Sequence, residues 1–259
     1  MNRSPQTLWL TGASSGIGLA LAHALQDRGH RLIVSGRNAD TLRPIVDRAP
    51  TTTWSAVTDT TDPASMAEAK ALWHQHGPLQ MAILNAGTCE YVDVDRFDAK
   101  TVECNINTNF GGTVRSVEAV LPALRAARQQ GLPAELVIVS SSAWWFPFGR
   151  AEGYGASKAA LTYFAHSLRA DLAAEGIGVT VVSPGFVKTP LTDRNDFPMP
   201  FIISAEDAAQ RIVKGLEKGR KEIHFPRRFT WTLKLLGALP QRWIDAIAAR
   251  MSRNQQESH

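Results

Sequence analysis

Short apolar runs alternate along the whole chain with longer stretches in which apolar residues recur every three or four positions. The first run, "TLWLTG" (7–12), is followed by an amphipathic segment that places Ile17, Ala20, Leu21, Ala24 and Leu25 on one face. Gly29 then supplies a residue suited to the left-handed end of a helix. Further strands are predicted at "RLIVSG" (31–36), "TTWSAV" (52–57), "MAILNAG" (81–87), "ELVIVS" (135–140) and "GVTVVSPG" (178–185), with a short last one at "KEIHF" (221–225). Helices are predicted from Pro63 to about His76, over roughly 101–127, from Tyr154 to Glu175 and over 205–219. Near-continuous Val/Ile/Leu strands alternating with helices imply a parallel sheet covered on both faces. The expected fold is α/β, a doubly wound parallel sheet of about seven strands, in a single domain over 1–224. Residues 225–259 read as a basic amphipathic extension whose end, 252–259, is expected to be disordered.

Composition narrows the class. With 44% hydrophobic and 20% charged residues, 259 residues can bury a substantial core. Cys89 and Cys104 are too few for a disulfide framework and suit a reducing, cytoplasmic setting. The first strand begins so early that no signal peptide is expected, and no apolar run approaches the ~20 residues of a membrane span. Charge is uneven. From Lys218 onward there are nine Lys/Arg against three Asp/Glu, whereas residues 1–217 carry nineteen against twenty-one. Aromatics and arginines are not interleaved on any strand, which argues against nucleic acid as a partner. No carboxylate–histidine set suggests a metal.

Two stretches carry candidate chemistry. "TGASSGIG" (11–18) lies between the first strand and the first helix. There Gly12 allows a tight turn, Gly16 lets backbone approach a ligand, and Gly18 permits close helix–strand packing. Ser14, Ser15 and Ile17 complete a loop whose N–H groups and helix dipole suit a dinucleotide pyrophosphate. At the end of the second strand, "IVSGRN" places Gly36 where an acidic residue would receive the 2′-hydroxyl of NAD, and Arg37 follows. A guanidinium there pairs with a 2′-phosphate, which favours NADP (NADPH) over NAD. The second stretch is "GYGASKAAL" (153–161), where Tyr154 and Lys158 leave one helix face a turn apart. Alone, that pair reads more readily as a surface aromatic beside a solvated lysine, because the spacing is common by accident.

Taken together, "TGASSGIG", "LNAG" (84–87), "YGASK" (154–158) and "SPGFVKT" (183–189) give the chain a resemblance to the classical short-chain dehydrogenases/reductases. The likeness covers roughly residues 6–219, with the motifs in the family's order, and implies a Rossmann fold. By resemblance Asp59 contacts the adenine, and Asn85, Ala86 and Gly87 steady the central sheet beside the cofactor. Pro184, Gly185, Val187 and Thr189 hold the nicotinamide carboxamide and pyrophosphate. The catalytic set becomes Asn109, Ser141, Tyr154 and Lys158. Asn105 and Asn107 compete with Asn109 for register, and Ser140 and Ser142 with Ser141, which stands thirteen residues before Tyr154. "LNAG" departs from the commoner "NNAG", and Trp144 stands where glycine is frequent.

These roles give the Tyr–Lys pair a task. A phenol titrates near 10, and a cation one turn away lowers that value. Tyr154 is expected to act as general acid in reduction and general base in oxidation, with Ser141 orienting the reacting oxygen. Lys158 also grips the nicotinamide ribose, and Asn109 positions a water on a proton path from Lys158. Trp144, Trp145, Phe146, Phe148, Phe186 and "LTDRNDFPMPF" (191–201) suggest an apolar pocket under a mobile lid, hence a hydrophobic ketone, aldehyde or alcohol as substrate. Cys89 reads as a packed thiol near the substrate rather than a nucleophile.

Three questions stay open at this level. A cofactor-binding scaffold or redox sensor is the rival from another class, and a sugar-nucleotide epimerase or dehydratase the rival among enzymes. The extension at 226–250 either docks on protein or makes peripheral contact with a membrane interface. The family resemblance further implies a homodimer or homotetramer.

Overall fold

The computed structural model describes residues 5–256, the side chains of Glu68 and of 252–256 excepted. Seven strands form one parallel sheet: β1 (Thr7–Thr11), β2 (Arg31–Gly36), β3 (Thr53–Val57), β4 (Leu79–Leu84), β5 (Ala134–Val139), β6 (Ile177–Pro184) and β7 (Glu222–Phe225). Their spatial order is β3-β2-β1-β4-β5-β6-β7. The order reverses between β1 and β4, and a crevice opens there at the carboxyl ends of the strands.

Strand alternation sorts the core into two layers. Leu8 and Leu10 of β1 face one side, with Leu32 and Val34 of β2. They meet α1 (Gly16–Gln26), α2 (Ala39–Arg48) and α7 (Ala205–Glu217) through Leu21, Leu42 and Ile212. Trp9 and Ile33 face the other side, against α3 (Met66–Gln75), α5 (Gly112–Gln129) and α6 (Glu152–Leu172), where Trp73, Val120 and Leu161 are buried. Trp9 is fully buried, lies edge-on to Trp73 at 5.0 Å, and donates its indole N–H to Ser35 Oγ at 2.8 Å.

Two elements depart from the apolar pattern. Helix α2 is not foreshadowed, because it carries Pro44 in its interior and buries only Leu42 and Ile45; Asn38 caps it by accepting the Asp40 N–H at 2.8 Å. The long helix expected over 101–127 is three pieces in one rod: α4 (Ala99–Asn105), a π-helical turn at Ile106–Gly111, and α5. A π-turn leaves apolar spacing almost unchanged over so short a stretch, so periodicity does not register it.

The extension forms α8 (Arg227–Gly237) and α9 (Gln241–Gln256). Of the end expected to be disordered, residues 252–256 continue α9 and the last three lie outside the described residues. Among the described residues no helix is long and apolar enough to cross a membrane.

Candidate active site

The crevice is built first by backbone. Gly12 takes φ +66° as the chain leaves β1, and a Cβ there would lie 2.8 Å from Ala86 Cα. Gly16 takes φ +54°, and a Cβ on Gly18 would collide with the Gly12 carbonyl oxygen. Ser15 precedes α1 without capping it, which leaves the helix's first N–H groups directed outward beside Ser14 and Ile17. Asn85 staples this loop to β4. Its side chain donates to the carbonyls of Thr11 and Gly12 at 3.2 and 3.1 Å, while the N–H groups of Asn85 and Ala86 both reach Thr11 Oγ1.

On the β2–β3 side, Arg37 is exposed and forms no hydrogen bond or ion pair within the described residues. Asp59 anchors the turn after β3. Its carboxylate accepts both the N–H and the hydroxyl of Thr61, at 2.8 and 2.7 Å. The Thr61 N–H, foremost, holds this carboxyl below the usual range against the opposing effect of burial, and Arg37 and Arg115 act in the same direction. On the opposite wall, β6 ends at Pro184, Gly185 N–H donates to Phe225 O at 2.7 Å, and buried Val187 pairs with Ile203. Thr189 arches over the loop, its methyl 3.0 Å from where a Gly16 Cβ would stand.

The chemistry-bearing side chains converge beside this cradle. Lys158 is buried, its ammonium donates to Val139 O at 3.1 Å, and its Nζ lies 5.7 Å from the Tyr154 ring centroid. Ser141 Oγ accepts the Ala143 N–H at 3.1 Å and lies near enough to the Tyr154 phenol to counter the effect of burial on it. Ser140 points elsewhere: its Oγ binds Lys158 O at 2.9 Å and Thr162 Oγ1 at 2.8 Å, which locks α6 to the end of β5. Ser142 opens the short turn after Ser141. Of the three serines, the structure places Ser141 at the phenol.

The asparagine register resolves in the same way. Asn109, in the π-turn, accepts the Thr88 N–H at 2.7 Å and donates to Thr88 O at 3.0 Å and Ser157 Oγ at 2.9 Å. A Cβ on Gly87 would sit 2.8 Å from Asn109 Oδ1 and 3.5 Å from Lys158 Nζ, so Gly87 is what lets these two groups approach. Asn107 turns outward to Arg115. Asn105 repeats the Asn109 grip one step away, accepting the Glu90 N–H at 3.1 Å and donating to Glu90 O at 2.9 Å. Four helical residues advance about 6 Å and two extended residues roughly 6.7 Å, so the pair reads alternate residues of the segment after "NAG". Neither this double clamp nor Ser157 was singled out from the sequence. The four-residue spacing of Asn105 and Asn109 was the available signal for the clamp.

Burial dominates the electrostatics. It lowers the Lys158 ammonium to about 8 and pushes the Tyr154 phenol above its ordinary value, with nearby Ser141 opposing. The expected lowering of the phenol by Lys158 is thus reversed here, because desolvation outweighs every favourable contact. Burial also raises the Cys89 thiol to about 11, which keeps it protonated at neutral pH.

Aromatics surround the open side. Phe197 lies 6.0 Å from Tyr91 and 6.1 Å from Phe186, and Trp144 donates to Ser183 Oγ at 3.4 Å. The segment expected as a mobile lid is tied down at three points. Tyr91 donates to Asn195 Oδ1 at 2.6 Å, Arg150 grips both Asp196 oxygens at 2.9 Å, and Arg194 donates to Cys89 O at 2.9 Å. Arg150 does so from a left-handed backbone, φ +65°, that sequence gives no means of foreseeing in a non-glycine residue. A separate cavity of about 640 Å³ opens at the other, amino-terminal edge of β4–β6, away from Tyr154, and belongs to none of this.

The sequence matches the short chain dehydrogenase family over residues 6–197. The chain belongs to that family. An uncharacterized oxidoreductase of Myxococcus xanthus is 36% identical over 96% of this chain and 98% of its own length. An 11-beta-hydroxysteroid dehydrogenase A of Sesamum indicum is 29% identical, covering 96% of this chain and 76% of the relative. A short chain dehydrogenase of Burkholderia cenocepacia solved in complex with NADP superposes with a TM-score of 0.81 at 25% identity, covering 95% and 97% of the two chains. This short-chain dehydrogenase therefore stands among NAD(P)-dependent oxidoreductases. Its own residues fit a nicotinamide dinucleotide, since the glycines leave a cradle that side chains would fill, below an uncapped helix N-terminus.

Replacing Asn105 tests the clamp. Asn105→Ala strips the Glu90 N–H and C=O of their partners and is expected to lower unfolding stability by about 1–3 kcal/mol in a urea titration. Asn105→Asp, which sets a buried carboxylate against the Glu90 and Thr101 carbonyls, is expected to lose more.

Proposed function

We propose that this short-chain dehydrogenase reduces apolar ketones or aldehydes with NADPH, Tyr154 serving as proton donor. The observation that carries the proposal is the buried Lys158 ammonium held by Val139 O with its Nζ 5.7 Å from the Tyr154 ring centroid, Ser141 nearby, beside the glycine-lined crevice. A scaffold that merely bound a dinucleotide would have no use for that set. A nicotinamide bound there would supply the hydride. Gly12, Ser14, Ser15, Gly16, Ile17 and Gly18 hold the pyrophosphate, Arg37 the 2′-phosphate and Asp59 the adenine. Asn85, Ala86, Gly87, Pro184, Gly185, Val187 and Thr189 form the walls around the nicotinamide.

Each protein group then has a physical task. The phenol, raised by burial, carries its proton at neutral pH and donates it as the carbonyl oxygen gains negative charge. Ser141 donates a hydrogen bond to the same oxygen and orients it toward the phenol. Lys158, lowered to about 8, is still mostly a cation at pH 7 and stabilises the phenolate left behind. An ammonium has three donors, and Val139 O takes one, so Lys158 can also hold the ribose hydroxyls. Asn109 fixes the floor under Lys158 and a water on its path to solvent. Tyr91, Trp144, Phe186 and Phe197 favour a bulky apolar substrate, in agreement with the hydroxysteroid activity named for the sesame relative.

An NADPH-oxidation screen over apolar carbonyl compounds tests the reading. Tyr154→Phe is expected to lower kcat/KM by roughly 10²–10⁴-fold while NADPH binding, followed by fluorescence, is retained; equal turnover by the two proteins would remove the mechanism. Reduction needs the Lys158 cation, so kcat/KM is expected to hold below pH 7 and fall as pH rises through about 8. Arg37→Ala removes a charge-assisted phosphate contact and is expected to raise the KM for NADPH roughly ten- to a hundredfold, with NADH little affected.

A further inference from the structure

The inner face of the extension is part of the domain. Leu233 of α8 and Ile244 of α9 are buried with Phe146, and Phe229 lies 5.3 Å from Phe186. The outer face has no such cover: Trp231, Leu235 and Trp243 remain 53%, 68% and 54% exposed. Single exposed apolar residues are ordinary, but Trp231 and Leu235 are neighbours on one helix face, and Leu239 and Trp243 follow at four-residue steps through the turn into α9.

The charges around this face are mainly basic, with Lys234 paired to Glu222 at 2.6 Å. Residues 226–250 contain five Lys/Arg and one acid, Asp245. Lys234 Nζ lies 5.3 Å over the Trp231 ring, and the Arg242 guanidinium carbon 5.8 Å from the Trp243 ring centroid. Indoles flanked by basic groups match the boundary between acyl chains and phosphate headgroups, where the rings are half-immersed and exposed arginines such as Arg242 meet the phosphate. A symmetric contact with a second copy through this face would instead bring two sets of like charges together.

We propose that α8 and α9 are an interfacial foot that holds this protein on an anionic bilayer, with Trp231, Leu235 and Trp243 entering the headgroup region. The same helix packs on Phe186, so docking sets the aromatic mouth of the site beside the lipid. The foot itself does not depend on what the site catalyses.

Flotation of the full-length protein with vesicles of phosphatidylcholine, with and without phosphatidylglycerol, tests this. The parent protein is expected to float with the anionic vesicles, about tenfold less with the neutral ones, and less again at raised ionic strength. Trp231→Glu/Leu235→Glu is expected to lose flotation at least about tenfold while keeping its thermal midpoint, since both positions are exposed; Trp243→Ser serves as a second variant should the first fail to fold. No flotation of the parent protein, or equal flotation of parent and variants, overturns the proposal. So does a parent that is dimeric by light scattering, does not float, and becomes monomeric on Trp231→Glu/Leu235→Glu, because the face would then belong to a second copy. Vesicle binding is read without turnover, so its failure leaves the oxidoreductase reading intact.

Discussion

A buried ammonium is the constraint around which this site is arranged. Removing Lys158 from water carries a penalty of several kcal/mol before compensation. The structure offers it one carbonyl, that of Val139, at the last residue of a central strand. To keep donor and acceptor in register, α6 must sit at a fixed height over the sheet. Ser140 and Thr162 hold it there by binding the backbone oxygen of Lys158 itself. Ser157, one residue earlier, ties the same helix to Asn109, and Asn109 ties it to the chain leaving β4. Tyr154, one turn earlier on α6, inherits its position from these bonds.

The two halves of the crevice meet through a few polar bonds. Asn85 fastens the glycine loop to β4, and two residues later Gly87 has no side chain, so Asn109 and Lys158 can close in. A displacement of the loop is thus felt within two residues at the lysine. Close-packed interiors of this kind transmit strain along such short paths.

Much of this was legible in the chain. Buried parallel strands announce themselves as apolar runs, and the glycine loop and the Tyr–Lys spacing are local signals whose meaning depends on few neighbours. What escaped was tertiary. Pro44 masks α2, a π-turn hides inside apolar spacing, and the Ser140 bonds to Lys158 O and Thr162 that lock α6 to β5 cross between elements. The direction of the Tyr154 shift also needed coordinates, because burial is a property of the packed molecule and the Tyr–Lys interval says nothing of it. The ties at Arg150 and Tyr91 join residues 46 and 104 positions away, beyond any pattern along the sequence.

Phe229 belongs to the extension, yet it packs against Phe186 and occupies the space a side chain on Gly185 would need. One wall of the aromatic mouth beside Phe186 is therefore furnished by an element that has no part in the sheet, the glycine loop or the Ser141, Tyr154 and Lys158 cluster. Changes along the inner face of α8 can reshape what the mouth accepts while the chemistry stays as it is. The appendage acts as an interchangeable liner, through which one scaffold can be refitted for different guests.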